Sequence, residues 1–172
     1  MNEQIILAGG CFWCMVKPFD HNDGVISVVS GYSNGKIAHP TYEQVCRGHT
    51  GHTEAVLITF DNALISLEEI LTIYWRLIDP TDSEGQFEDR GPNYRPAIIY
   101  FTKEQKTIAE RSKQNLINEN LFDKPIIVPI EPYVNFYPAE EYHQDFYKKS
   151  PARYHANEAS SFRSSFIAKT WE

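Results

Sequence analysis

Cys11 and Cys14 stand three residues apart in GGCFWCM, with Phe12 and Trp13 between them and a glycine pair in front. A third cysteine, Cys46, follows Val45 in a polar stretch that also carries His49 and His52. Three chemistries fit such a set. The first is a redox couple: a strand, a Gly-Gly turn and a helix start would set Cys11 among unpaired backbone N–H groups, which stabilise a thiolate nucleophile. Cys14 would then share its helical face, within reach of a disulfide. The second is zinc held by Cys11, Cys14, Cys46 and His49 or His52, although two bulky aromatics sit poorly inside a metal knuckle. The third is plain burial of small hydrophobes, the simplest reading for Cys46. A nucleophilic sulfur beside two aromatic rings uses most of the motif, and it suits a small, partly apolar substrate that is electrophilic at sulfur.

The elements that must position these residues alternate between strands and helices. EQIILA (3–8), VISVVSGY (25–32) and EAVLITF (54–60) read as strands, and a long polar loop from Ser33 to Thr53 separates the last two. One or two helical turns are expected from Cys11 to about Phe19, before Pro18 and the HNDG turn interfere. Ser66 and Glu69 make a capping-box pattern ahead of a helix reaching Asp79, and Thr102 and Gln105 repeat it for a helix reaching about Glu119. RPAIIYF (95–101) is another strand, and the prolines of PIIVPI (125–130) predict a strand at a sheet edge. PAEEYHQDFYKK (138–149) predicts a helix that begins at Pro138, and the tail beyond it is weakly patterned. This order implies an α/β two-layer sandwich with a mixed sheet, in a single catalytic domain over 1–172.

Composition removes several function classes. A net charge of -7 argues against a general nucleic-acid or anionic-membrane binder, which needs a basic face. No run approaches the ~18 apolar residues of a membrane span. MNEQIILAGG lacks the pattern of a signal peptide, and three cysteines are too few for a disulfide scaffold, so the expected compartment is a reducing cytoplasm.

Five segments carry a more specific signal: GGCFW, SGYSNG, PTYEQVCRGHTGHTEAV, DPTDSEGQFEDRGPNYRPAIIY and YPAEEYHQDFY. Their order and separation, from about Ile5 to Tyr147, resemble the A-type peptide-methionine sulfoxide reductases. The resemblance implies a ferredoxin-like core with a long irregular C-terminal segment. It also implies thiol-dependent reduction of the S-epimer of methionine sulfoxide, free or in oxidised proteins, to methionine. Residue by residue it implies Cys11 as nucleophile, Phe12 and Trp13 as a cage for the substrate methyl group, and Tyr42, Glu54 and Tyr94 facing the sulfoxide oxygen. Asp89 would position substrate and water. His143 is a candidate for lining the site, whereas His49 and His52 are expected to be structural.

The implied chemistry is coherent. Sulfoxide oxygen leaves only if it gains a proton, which Glu54 can supply if burial keeps its carboxyl neutral. Two tyrosine hydroxyls would act as preorganised donors to the same oxygen. Cys11 would be left as a sulfenic acid. Many family members have glycine at the position of Cys14 and recycling cysteines near the C-terminus. This tail has none, so Cys14 is the expected resolving thiol and Cys46 the alternative. The expected reductant is thioredoxin or a similar dithiol, with no cofactor or metal, and the chain is expected to be a monomer. A zinc-binding interaction module and a general thiol–disulfide oxidoreductase are the competing readings. The tail NEASSFRSSF lacks the glycines that many relatives show around their final arginine, so its path does not follow from the resemblance.

Overall fold

The computed structural model describes residues 1–160 and 162–171, and the side chains of all of these except 158–160. Its strands are β1 (Asn2–Ala8), β2 (Val25–Ser33), β3 (Thr53–Asp61), the short pair β4 (Gly85–Gln86) and β5 (Asp89–Arg90), β6 (Ala97–Tyr100), β7 (Ile130–Pro132) and β8 (Phe136–Pro138). The α-helices are α1 (Lys17–Asp20), α2 (Tyr42–Cys46), α3 (Leu67–Trp75), α4 (Lys103–Glu119), α5 (Phe146–Lys149), α6 (Pro151–Ser160) and α7 (Arg163–Trp171).

The main sheet runs β7-β6-β1-β3-β2-β8. Its four central strands are mutually antiparallel, and β1 reaches β2, as β3 reaches β6, through helical segments. That is the split βαβ order of a ferredoxin-like core. At the edges β7 lies parallel to β6 and β8 antiparallel to β2, which makes the sheet mixed. The antiparallel order has a consequence for chemistry. The C-terminal ends of β1 and β2 and the N-terminal ends of β3 and β6 fall at one end of the sheet, and the loops there carry the cysteine motif.

β1 is an unbroken apolar run because both of its faces are covered. Ile5 and Leu7 join the large core beneath the helices, while Ile6 and Ala8 pack with Ala55, Ala97 and Ile99 on the other face. The helix α3 starts where its capping box predicts, with Ser66 accepting from the Glu69 N–H at 3.1 Å and Glu69 accepting from the Ser66 N–H at 3.3 Å. It buries Leu67, Ile70, Leu71, Tyr74 and Trp75, and the Tyr74 hydroxyl donates to the Ala8 carbonyl at 2.6 Å, fixing the end of β1. α3 stops at Trp75 rather than Asp79: the Arg76 and Leu77 N–H groups shift to the i−3 carbonyls of Ile73 and Tyr74, and the Asp79 N–H is taken by the side chain of Gln86 at 2.7 Å.

Five expectations are corrected. The helix expected from Cys11 is one 3-10 turn, Phe12–Cys14, followed by α1, whose first turn holds Pro18 without disruption. Thr102 caps α4, but Gln105 does not return the bond to Thr102. It is buried, accepting from Phe101 N–H at 2.8 Å and donating to the Gln4 carbonyl at 2.7 Å. The strand read at 125–130 is shifted to β7, still at a sheet edge, and Pro138 closes β8 instead of opening a helix. Finally, the tail expected to be irregular contains α6 and α7.

α7 brings Arg163 back under the first loop. Its guanidinium donates to the carbonyl of Gly9 at 2.8 Å and to that of Leu77, and it lies 4.9 Å from the centre of the Phe87 ring. Gly10 has φ +90, and a Cβ there would come within 2.8 Å of Gln86 Cβ and 2.9 Å of Arg163 Nη2. Gly10→Ala is therefore expected to destabilise the fold by about 1–3 kcal/mol, read as a lower midpoint in urea unfolding. An unchanged midpoint would contradict the packing described.

Candidate active site

Cys11 caps the single 3-10 turn and is half-buried, while Cys14 donates its backbone N–H to the Cys11 carbonyl at 3.1 Å. The two thiols are hydrogen-bonded to each other. This interaction, followed by burial and the nearby carboxyl of Glu54, pushes the Cys11 thiol well above its ordinary range. The direction is opposite to the one expected from a helix start. One 3-10 turn supplies little dipole, and desolvation with acidic neighbours outweighs it. Cys14 is buried under α6, where the Asn157 amide approaches its sulfur at 3.7 Å.

Glu54 is the second residue of β3 and is 1% exposed. One carboxyl oxygen accepts from the Phe12 N–H at 3.2 Å, and the other is buried with no hydrogen-bond partner. Burial pushes this carboxyl up to about 8, against the lowering effect of the Phe12 bond and with a contribution from Asp89. It is thus a carboxylic acid at neutral pH, with an unsatisfied group facing the cysteine loop.

The tyrosines arrive from two other loops. Tyr42 opens α2, and Tyr94 ends a 3-10 turn, Pro92–Tyr94, that Thr53 fastens by donating to the carbonyls of Asn93 at 3.2 Å and Arg95 at 3.0 Å. Both phenols lie far above their ordinary range, through burial first and the Glu54 charge next, and so remain hydroxyl donors. Asp89 sits in β5, half-buried, its carboxyl raised by burial and by Glu88 and opposed by Arg163.

The aromatic wall has an order of its own. Phe12 is fully buried against Tyr32 at 5.8 Å and His143 at 5.0 Å. Trp13 remains half-exposed, stacked on Phe146 at 3.9 Å, with its indole N–H donated to His143 Nδ1 at 2.9 Å. That bond places the imidazole proton on Nε2, and burial holds the ring below its ordinary range, so His143 is neutral.

All nine residues predicted for the site therefore converge on one end of the sheet. Cys46 was expected to be buried and is exposed: Val45 points inward and the next helical position points out, where the Cys46 sulfur accepts from the Tyr42 hydroxyl. His49 is exposed, and His52 is a buried staple between the Gly35 N–H and the Ile37 carbonyl. Among the described residues no three His, Cys, Asp or Glu side chains are grouped to hold a metal, so the zinc reading finds no support. Sequence reasoning missed Glu140, Tyr32, Phe146 and Arg163. Tyr32, Glu140 and Phe146 lie inside segments already singled out, but nothing local assigns any of the four a role, because their partners lie far along the chain.

A protonated buried carboxyl, a paired dithiol and two fixed phenols define a thiol oxidoreductase site, built on a ferredoxin-like sheet rather than a thioredoxin fold. Comparison with known proteins makes the class specific. The chain matches the family described as peptide methionine sulfoxide reductase over residues 3–172. It is 56% identical over 169 residues to peptide methionine sulfoxide reductase MsrA 2 of Staphylococcus aureus, covering 98% of this chain and 96% of that one. Reduced Mxr1 of Saccharomyces cerevisiae superposes with a TM-score of 0.75 at 32% identity, over 88% of this chain and 87% of that one. A second Mxr1 structure, solved in complex with Trx2, shares the fold with a TM-score of 0.59 at 21% identity and 84% coverage of each. The chain belongs to the A-type peptide methionine sulfoxide reductase family.

The raised Glu54 carboxyl also predicts a stability signature. The folded chain keeps a proton that the unfolded chain loses near 4.5, so this group's contribution is complete below that pH and declines as pH rises to about 8. Glu54→Gln should remove the decline, gaining stability relative to the parent at pH above about 8 and little in mild acid. Urea unfolding at both pH values checks this, and a parallel pH dependence in the two proteins would count against a protonated Glu54.

Proposed function

We propose that the site reduces the S-epimer of methionine sulfoxide with Cys11 as nucleophile and Glu54 as proton donor to the departing oxygen. The observation that carries the reading is the neutral, buried Glu54 carboxyl with one unsatisfied oxygen beside the cysteine loop. Cys11 attacks the sulfoxide sulfur as Glu54 protonates its oxygen; in net terms the bond from that oxygen to the substrate sulfur breaks and a bond to the Cys11 sulfur forms, leaving methionine and a Cys11 sulfenic acid. No external proton is consumed. The thiol starts protonated, so the proton it releases replaces the one Glu54 gives up, and the raised thiol pKa is compatible with turnover. The Tyr42 and Tyr94 hydroxyls steady the oxygen as charge develops on it. Trp13, half-exposed and backed by Phe146, forms the surface for the methyl group with Phe12 packed beneath the loop behind it, and Asp89 and His143 face the rest of the substrate.

Cys14 then condenses with the sulfenic acid, forming the Cys11–Cys14 disulfide and releasing water. Their existing thiol–thiol contact supports this pairing over one with Cys46, whose sulfur is exposed on α2. Thioredoxin or a similar dithiol returns both sulfurs to thiols, a role consistent with the Trx2 complex of the fold relative. The chain is read as a monomeric repair enzyme of the cytoplasm that needs no cofactor; no helix among the described residues is long and apolar enough to cross a membrane.

Reduced protein incubated with methionine sulfoxide and no other reductant should yield one methionine and lose two thiols per chain. Cys14→Ser should yield the same methionine but stop at a sulfenic acid trappable by dimedone, whereas Cys46→Ser should behave as the parent. Loss of the second thiol in Cys14→Ser but not in Cys46→Ser would reverse the pairing, and no methionine at all would refute the reading. The single-turnover rate should fall as pH rises through about 8. Glu54→Gln should be slower by roughly 10²-fold and lack that limb. A parent-like rate in Glu54→Gln would remove Glu54 as the donor.

A further inference from the structure

We propose that Glu140 is a positioning residue for the reaction, holding the Tyr42 hydroxyl in place through the one-turn helix α2. The inference rests on the reading of Tyr42 as a donor to the sulfoxide oxygen and adds the group that sets where that donor stands.

α2 has only five residues, too few to hold itself without outside contacts. Its Thr41–Gln44 capping box is reciprocal: the Thr41 hydroxyl accepts from the Gln44 N–H at 3.2 Å, and Gln44 accepts from the Thr41 N–H at 2.9 Å. The N–H of Tyr42, the first helical residue, has no acceptor within the helix. It donates instead to Glu140 Oε2 at 3.0 Å. The other oxygen of the same carboxylate accepts from the Tyr32 hydroxyl at 2.7 Å.

Tyr32 fixes the frame to which α2 is tied. It is fully buried on β2, stands opposite Glu54 in the sheet register and packs its ring on Phe12. One carboxylate thus links the helix bearing Tyr42 to the strand beside the proton donor and to the residue following the nucleophile.

Glu140 is itself held from both sides. Before it, the Ala139 N–H donates to the Ser30 carbonyl at 2.8 Å. After it, the Gln144 side chain accepts from the Ser30 N–H at 2.9 Å and donates to the Ser30 carbonyl at 2.8 Å. Burial disfavours its charge, but the bonds from Tyr32 and the Tyr42 N–H more than offset that and keep the carboxyl below its ordinary range. Its neighbour Glu141 is exposed and pairs with Lys149, so the two adjacent glutamates have different jobs.

A double-mutant cycle on the single-turnover rate, with methionine sulfoxide as substrate, separates positioning from general support. Glu140→Ala and Tyr42→Phe should each slow the reaction tenfold or more, and the double variant should be no slower than Tyr42→Phe alone. Glu140→Gln should keep most of the parent rate, because its amide can accept the Tyr42 N–H through oxygen and donate to Tyr32 through nitrogen. If Glu140→Ala does not fold, Glu140→Asp, too short to reach both donors, takes its place in the cycle. Multiplying rate losses, or a folded Glu140→Ala at the parent rate, would overturn the proposal. A parent rate in Tyr42→Phe would instead overturn the underlying role of Tyr42, a distinguishable result.

Discussion

The hydrogen bond from the Phe12 N–H to the buried Glu54 carboxyl is the contact on which the rest of the site depends. It joins the cysteine loop to β3 and uses one carboxyl oxygen, leaving the other unsatisfied in a place water does not reach. A buried carboxylate so placed would be severely destabilising, so the group keeps its proton. The protonated state is therefore a property of the fold and not of any bound substrate.

Much of the structure can be understood as maintaining that arrangement. Antiparallel pairing puts the end of β1 beside the start of β3, so Cys11 and Glu54 meet without a long excursion of the chain. Tyr74 and Arg163 secure the carbonyls of Ala8 and Gly9 just before Cys11. Thr53, immediately before Glu54, fastens the turn bearing Tyr94, while Glu140 fastens the turn bearing Tyr42. Tyr94 is thereby tied to the strand that carries Glu54, and Tyr42 to the neighbouring strand β2. A thiol kept protonated in the resting site is also a poor target for adventitious oxidation, since the thiolate is the reactive form.

What could be read from the sequence was what local forces decide. β1, β2, β3 and the start of α3 follow from runs of β-branched residues and a capping box, and they appear within a residue or two of expectation. The nine residues that meet at the end of the sheet were picked out through five short segments together, since no single tyrosine or glutamate announces a role. The failures have a common cause in distance along the chain. Gln105 turns toward Gln4 instead of completing its box, and Glu140 finds its partners on β2 and α2. The direction of the Cys11 shift was misread because a helix dipole was expected where one 3-10 turn stands, and the Cys14 thiol, followed by burial and Glu54, decides the sign.

The central claim is that Glu54 is a carboxylic acid in the resting protein, and infrared difference spectroscopy tests it without turnover. The parent minus Glu54→Gln spectrum near neutral pH should show the carbonyl stretch of one protonated carboxyl group, and that band should titrate away at about pH 8. A carboxylate band in its place at neutral pH would contradict the account.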